Sequence, residues 1–139
     1  MVSGRTLCSL SLLLSACASD GTEDSGEDGF FVASSSPIQG SVDVLEGQTP
    51  EFRLNAQADS VQCTNEQFLL VGMDENGELA FEMEVELSFQ DEGKKVLLGH
   101  SQPFLKGFWY AAMVLDTDIP CRDVSGRPIA PFGVEFFVP

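Results

Sequence analysis

Helical periodicity is the feature this sequence most clearly lacks. No window repeats apolar residues at the three- and four-residue spacing of an amphipathic helix. The chain is also poor in catalytic side chains, with one histidine among 139 residues. These absences disfavour helical and α/β folds, and they leave little material for metal or Ser-His-Asp chemistry.

Positive charge is scarce as well. The chain has seven lysines and arginines and 22 aspartates and glutamates, which gives a formal net charge of −15. Such a chain repels phosphates, so no nucleic-acid partner is expected. A length of 139 residues allows one domain of ordinary size.

No apolar run is long enough to span a membrane. The run from Leu7 to Leu14 has less than half of the roughly 20 residues that a spanning helix needs. It follows a single basic residue, Arg5, and precedes the small residues Ser15 and Ala16. This arrangement predicts a signal peptide over residues 1–16.

The residues Leu14-Ser15-Ala16-Cys17 resemble the lipobox of bacterial lipoproteins. The resemblance implies cleavage before Cys17, lipidation of its thiol, and anchoring of the chain to the membrane of the cell envelope. Because Ala18 rather than aspartate follows the cysteine, it also implies an outer-membrane lipoprotein, periplasmic or surface-exposed. The alternative is ordinary cleavage that leaves Cys17 as an odd free thiol.

Residues 17–29 predict an acidic linker after the anchor. From Ala18 onward this stretch holds five acidic residues and three glycines, and no apolar residue larger than Ala18. It cannot bury enough surface to offset the entropy of ordering, so a disordered tether is expected. Calcium binding by these carboxylates is the alternative.

Residues 30–139 predict an all-β domain. From Phe81 to Phe89 apolar residues alternate with polar ones, the pattern of a strand with one wet face. The pair Asn76-Gly77 before it favours a hairpin turn. On the wet face, the three glutamates of this strand indicate an edge protected against aggregation, with a cation site or carboxylate catalysis as the alternatives: Glu82, Glu84 and Glu86.

Two stretches of this domain resemble a known family. Residues 103–110 read Pro-Phe-Leu-Lys-Gly-Phe-Trp-Tyr, and after a long loop the chain closes with Gly-Val-Glu-Phe-Phe-Val at 133–138. Near the start, Ser36-Pro37 and Gly40 form a Ser-Pro-x-x-Gly turn. These residues resemble the bacterial Ig-like domains of the S-layer (SbsA) type. The resemblance implies an Ig-like β-sandwich of about seven antiparallel strands, used in that family as a spacer or adhesive module.

Two cysteines remain for the domain, since Cys8 is expected to leave with the signal peptide and Cys17 to be lipidated. In an envelope protein, Cys63 and Cys121 are expected to form a disulfide. In an Ig-like sandwich, the loops that carry them emerge at the same end, which supports the pairing.

Tyr110 stands where Ig-like folds have an inward-pointing tyrosine that forms a hydrogen bond across a corner. Strand alternation would then turn Trp109 and its neighbours outward. The predicted face joins residues of three strands: Leu69, Val71, Trp109, Met113, Leu115 and Phe137. We interpret it as a possible face for a protein or glycan partner. The alternatives are a loop or the Phe30-Phe31 segment covering it, or an inverted facing.

No catalytic constellation stands out, and no cofactor is expected. His100 lacks a second histidine or free cysteine to complete a metal set, which favours a surface role. Asp116, Asp118 and Asp123 could hold calcium, but turn and strand-end carboxylates fit the spacing better. The sequence therefore favours a non-enzymatic binding or adhesion module. A structural spacer or envelope component and an enzyme remain as alternatives.

Overall fold

The computed structural model describes residues 29–139. The predicted signal peptide, the predicted lipidation site Cys17 and all of the predicted tether except Gly29 lie outside the described residues. Eight β-strands make up the regular structure, and two single turns of 3-10 helix, at Asn65–Gln67 and Asp91–Gly93, join some of them. The strands are β1 (Val32–Ser36), β2 (Glu51–Leu54), β3 (Phe68–Met73), β4 (Leu79–Met83), β5 (Glu86–Gln90), β6 (Lys95–Gly99), β7 (Phe108–Val114) and β8 (Phe132–Val138).

The strands form two antiparallel four-stranded sheets. The first sheet has the order β1-β2-β6-β5, and the second has the order β4-β3-β7-β8. Side chains of both sheets that point inward form one hydrophobic core, and the fully buried aromatic and aliphatic ones come from both: Phe52, Val96 and Leu98 from the first, Leu70, Tyr110 and Phe136 from the second. The expected β-sandwich is confirmed.

The predicted single strand from Phe81 to Phe89 is two strands, which is why the count is eight rather than about seven. β4 pairs with β3 in the second sheet, whereas β5 pairs with β6 in the first. The chain crosses between the sheets at Glu84 and Val85. Alternation continues across this crossing, since Met83 and Val85 are both buried. Both β4 and β5 are edge strands, so the glutamate row does lie at sheet edges, as predicted.

The turn between β3 and β4 is the predicted Asn-Gly hairpin. Gly77 has a φ of 78°, a left-handed value that glycine adopts without strain. One carboxylate oxygen of Asp74 accepts hydrogen bonds from the backbone N–H groups of Asn76 and Glu78, at 2.9 and 3.0 Å. The side chain of Asp74 therefore stabilises the turn that places it beside the outer face of the second sheet.

The Cys63–Cys121 disulfide is present, with an S–S distance of 2.07 Å. It joins the loop between β2 and β3 to the loop between β7 and β8, as predicted. Gln67 supports the same junction, because its buried amide donates to the carbonyl oxygens of Ile119 at 2.7 Å and Gln62 at 3.2 Å. Covalent and hydrogen-bonded links thus hold the two loops together at one end of the sandwich.

Tyr110 points into the core and is fully buried. Its hydroxyl oxygen accepts a hydrogen bond from the backbone N–H of Leu105 at 2.7 Å, across the corner that leads into β7. Burial raises the pKa of Tyr110, and the hydrogen bond from Leu105 offsets part of that rise. The phenol therefore stays neutral, and its position fixes which side of β7 faces inward.

Candidate binding face

The outward side of the second sheet is the candidate site, and strand register defines its rows. Trp109 on β7 lies between Met73 on β3 and Phe137 on β8. One row further, Ala111 lies between Val71 and Glu135, and the next row sets Met113 between Leu69 and Gly133. We call the apolar members of these rows the Trp109 face: Leu69, Val71, Met73, Trp109, Ala111, Met113 and Phe137.

The facing of β7 agrees with the prediction. Tyr110, Ala112 and Val114 are at most 2% exposed, so the intervening residues must point away from the core. Trp109 is 38% exposed, and its ring centroid lies 5.4 Å from that of Phe137, so both rings share the outer surface. An inverted facing is excluded by this geometry.

The predicted members of the face differ in accessibility. Leu69, Met113 and Leu115 are half-buried, and Leu115 lies just beyond the end of β7. Val71 was expected to be accessible, but it is only 3% exposed. It occupies the middle of the sheet, flanked by Glu82 on one side and Ala111 on the other, so neighbouring side chains shield it. Val71 therefore forms the floor of the face rather than part of its contact surface.

The Phe30-Phe31 segment does not cover the Trp109 face. Phe30 is buried in the core and forms a bridge to Ile129, in the loop between β7 and β8. Phe31 lies next to Asn55, whose side-chain oxygen accepts its N–H at 2.7 Å. The Phe30-Phe31 segment thus packs at the loop end of the sandwich.

Carboxylates border the face. Glu82 lies at one end of the middle row, beside Val71, and Glu135 lies at the other end, beside Ala111. Asp74 and Glu75 of the β3–β4 hairpin stand next to Trp109, lining the same groove. We call these four residues the acidic rim: Asp74, Glu75, Glu82 and Glu135. The four strands of this sheet contain no lysine or arginine.

Two shallow grooves flank Trp109. One, of about 410 Å³, runs between Trp109 and the hairpin and includes Gly107 and Phe108. The other, of about 250 Å³, is lined by Met73, Trp109, Glu135 and the hairpin. Each groove combines an aromatic or thioether surface with carboxylates. Such a surface can bury an apolar group of a partner and pair a cation beside it.

Sequence reasoning missed Met73 and the rim residues Asp74, Glu75 and Glu135. Met73 continues the alternation of Leu69 and Val71, so periodicity alone could have added it. The rim was harder to find, because its members come from β4, β8 and a turn. Only the register of the strands brings them to one surface.

The structure does not bring Asp116, Asp118 and Asp123 of the last loop together as one group. Asp116 and Asp118 are exposed, whereas Asp123 is buried and bonded to Arg127, whose Nε lies 2.7 Å from its Oδ2. Burial by itself would raise the pKa of Asp123, but hydrogen bonds from the Arg127 backbone and side chain, the Arg127 charge and the Ser125 N–H together lower it. Within residues 29–139, no three His, Cys, Asp or Glu side chains are grouped so that they could hold a metal ion.

His100 is a structural residue of the loop after β6. Its two ring nitrogens lie 2.6 Å from the carbonyl oxygen of Gln102 and 2.9 Å from that of Gln48. Its ring stacks on Phe104, with centroids 4.3 Å apart. These contacts link two loops and leave neither nitrogen turned toward the Trp109 face.

No helix in the part of the chain that the structure describes is both long enough and apolar enough to cross a membrane.

Comparisons with known proteins add information about the fold. No protein-family model and no curated protein matches the chain. Among solved structures, the chain is similar to the S-layer protein SbsC, with a TM-score of 0.55 and 10% identity over 78% of this chain and 13% of that one. The N-terminal part of SbsC gives a TM-score of 0.56 and 12% identity over 79% of this chain and 23% of that one. This chain therefore spans less than a quarter of the S-layer chains it matches.

A second similarity is to PcoC, a methionine-rich copper resistance protein from Escherichia coli. It has a TM-score of 0.52 and 13% identity, and covers 80% of this chain and 99% of that one. At such identities the likeness concerns the fold alone. The similarity to S-layer domains agrees with the Ig-like sandwich that the sequence resemblance implied.

Proposed function

We propose that this protein is a lipid-anchored module of the bacterial cell envelope that binds a partner through the Trp109 face and catalyses no reaction. The observation that carries the proposal is an outward sheet surface made of Trp109, Phe137 and two methionines, bordered by carboxylates. Monomeric proteins rarely leave such apolar surface to water unless it serves an interaction.

The outer side of the first sheet can be compared with the Trp109 face within the same molecule. On its outer side, Glu51 lies 3.6 Å from Lys95, and Arg53 lies 3.3 Å from Asp91. That surface has the mixed charges of an ordinary solvated sheet. The apolar outer face is therefore specific to the second sheet and is not a general property of the fold.

The proposed lipid anchor is inferred from the sequence alone. Leu14-Ser15-Ala16-Cys17 resembles a lipobox, and an acidic linker separates Cys17 from β1. Several acyl chains, each contributing about 0.8 kcal/mol per buried methylene, would hold the chain stably at a membrane. The Cys63–Cys121 disulfide supports an oxidising compartment such as the periplasm or the cell surface.

The absence of catalysis is likewise part of the proposal. The sole histidine is engaged with two carbonyl oxygens. The buried carboxylate of Asp123 is held by Arg127. Neither residue has the freedom that a general base at the candidate face would need.

The anchor is tested by growing cells that make the protein with radiolabelled palmitate. The wild-type chain should carry label and partition into the envelope fraction, whereas Cys17→Ser should lose both properties. Unlabelled wild-type protein would exclude the lipid anchor.

The binding face is tested with isolated envelopes from cells lacking the protein. Trp109→Ala should reduce retention of added protein on these envelopes. Leu97→Ala is the matched control, because Leu97 is a half-buried outward residue of β6 in the first sheet. Equal retention of the wild type and both variants, all with cooperative unfolding, would exclude this face and favour a structural envelope component without a specific ligand.

A further inference from the structure

The geometry of the Trp109 face also specifies the chemistry of its partner, an inference that rests on the proposed function. The middle row of the sheet has a carboxylate at each end, Glu82 on β4 and Glu135 on β8, with Val71 and Ala111 between them. Neighbouring strands lie about 4.8 Å apart, so three strand spacings separate the two glutamates by about 14 Å. A partner that crosses the row must match two negative charges with an apolar surface between them.

The positive charges of the domain do not neutralise this rim. Four ion pairs occur within residues 29–139, and they use Asp91, Glu51, Glu46 and Asp123 as the acids. None of the rim carboxylates takes part in them. The rim can therefore offer its negative charge to a partner.

The same charge argues against three other occupants. A second copy docked face to face would bring Glu82, Glu135 and the hairpin acids of both copies together, on chains that each have a net charge of −15. An anionic lipid surface would meet the same repulsion. The acidic linker that the sequence predicts would be repelled for the same reason.

An extended polypeptide fits the spacing. At about 3.3 Å per residue, positions i and i+4 of a strand lie about 13 Å apart and point to the same side, and position i+2 lies between them on that side. An α-helix rises about 14 Å over nine residues. Because each residue rotates the helix by about 100°, a side chain nine positions further along the helix points to the opposite side. The spacing therefore selects an extended segment rather than a helix.

We propose that the Trp109 face binds an extended, basic polypeptide segment with lysine or arginine at positions i and i+4 and an apolar residue at i+2. The two cations pair with Glu82 and Glu135. The apolar side chain lies over the floor formed by Val71 and Ala111, between Trp109 and Met113. Flanking residues of the segment reach the grooves beside the β3–β4 hairpin.

Trp109 makes this proposal directly measurable, because it is the only tryptophan in the chain. The full-length protein is titrated with a capped peptide Lys-Ser-Leu-Ser-Lys while tryptophan fluorescence is recorded. Two control peptides replace both lysines with glutamate or the leucine with serine. The proposal expects the first peptide to bind and each control to bind at least about threefold more weakly, because the glutamate control loses both ion pairs and the serine control loses the apolar contact.

Matched variants separate specific pairing from general attraction to an acidic protein. Glu82→Gln and Glu135→Gln should each weaken the Lys-Ser-Leu-Ser-Lys peptide about threefold. Glu92→Gln removes the same charge from the turn between β5 and β6 and should leave binding unchanged. An equal loss in all three variants, equal binding of the control peptides, or no fluorescence response would overturn the proposal.

In a further experiment, cells make the protein with a photocrosslinking amino acid in place of Met113. This experiment distinguishes failure of the present inference from failure of the proposed function. A crosslink to a polypeptide segment with the basic, apolar pattern supports both. A crosslink to a glycan, a lipid, an acidic segment or a second copy overturns the inference and leaves the binding function in place. If no crosslink forms, the binding function fails and the inference fails with it.

Discussion

On the first sheet, the outward side chains of β2 and β6 include the charged Glu51, Arg53 and Lys95 beside one leucine; on the second, the outward side chains of β3 and β7 are all apolar, namely methionine, valine, leucine, alanine and tryptophan. Both sheets have four antiparallel strands and contribute to one core. Packing therefore constrains their inner faces in the same way. The difference outside is a property of the sequence that the fold does not require.

The difference is visible strand by strand. β2 alternates buried Phe52 and Leu54 with Glu51 and Arg53, the pattern of a sheet with one wet side. β7 is apolar at all seven positions, the pattern of a strand covered on both sides. β7 lies in the centre of its sheet, and within residues 29–139 no strand covers its outer side, so its composition is the basis of the proposed binding face.

The largest expected effect concerns the junction that holds the two sheets together. The disulfide ties the β2–β3 loop, where the chain passes from the first sheet to the second, to the loop between β7 and β8. Replacing both cysteines with alanine should lower the free energy of unfolding by about 4 kcal/mol on the loop-entropy model. Urea denaturation checks this value. A double variant that unfolds at the same urea concentration as the oxidised wild type would contradict it.

The next effect concerns the buried carboxylate of Asp123 and its ion pair with Arg127. Asp123→Asn should cost about 2 kcal/mol, because charged hydrogen bonds to Arg127 and Ser125 are lost inside the protein. The pKa of Asp123 is lowered on folding, so its contribution is fully present above its ordinary pKa of 3.8 and is lost as the pH falls through the folded value.

Thermal unfolding of wild type and Asp123→Asn between pH 7 and pH 2 tests the sign of this dependence. The gap between their melting temperatures should narrow as the solution becomes acidic. A gap that stays constant would mean that the carboxylate charge contributes nothing to stability.

Two glycines allow the inner and outer sides of the second sheet to be compared directly. A Cβ at Gly72 would collide with the ring of Phe81 on the core side, whereas a Cβ at Gly133 would lie an ordinary 3.4 Å from Cγ of Met113 on the outer side. Gly72→Ala should therefore destabilise by about 1.5 kcal/mol through overpacking. Gly133→Ala should change stability by less than about 0.5 kcal/mol. Chemical denaturation of both variants provides the measurement, and a cost for Gly133→Ala as large as that for Gly72→Ala would contradict it.

The sequence predicts much of the difference between the inner and outer sides of the strands. The alternation of Glu82 and Met83, and the position of Tyr110 after Gly107, indicate which side of each strand faces inward, because side chains alternate with a strict period of two. The Asn76-Gly77 turn followed from backbone preference alone. These features depend on neighbours along the chain.

The sequence does not predict the features that depend on contacts between residues far apart along the chain. The division of 81–89 into β4 and β5 leaves the alternation unchanged, since Met83 and Val85 both stay buried while the hydrogen-bonding partner changes from β3 to β6. Likewise, the burial of Asp123 depends on its bridge to Ala58, in the distant loop between β2 and β3. The acidic rim could be assembled only once the register was known.

The smallest expected effect tests the comparison most directly, by removing one negative charge from each outer face. Glu51→Gln breaks the pair with Lys95, whose side chain is 18% exposed, and should cost about 0.5 kcal/mol. That cost should shrink in about 1 M salt, where screening acts over about 3 Å. Glu135→Gln breaks no ion pair within residues 29–139 and should leave stability unchanged or slightly raised, because the chain already repels itself. Chemical denaturation of both variants at low and high salt measures these changes in the free energy of unfolding. If Glu135→Gln loses as much stability as Glu51→Gln, a cation of this same chain already pairs with the acidic rim. The rim would then have no free charge to offer to a partner.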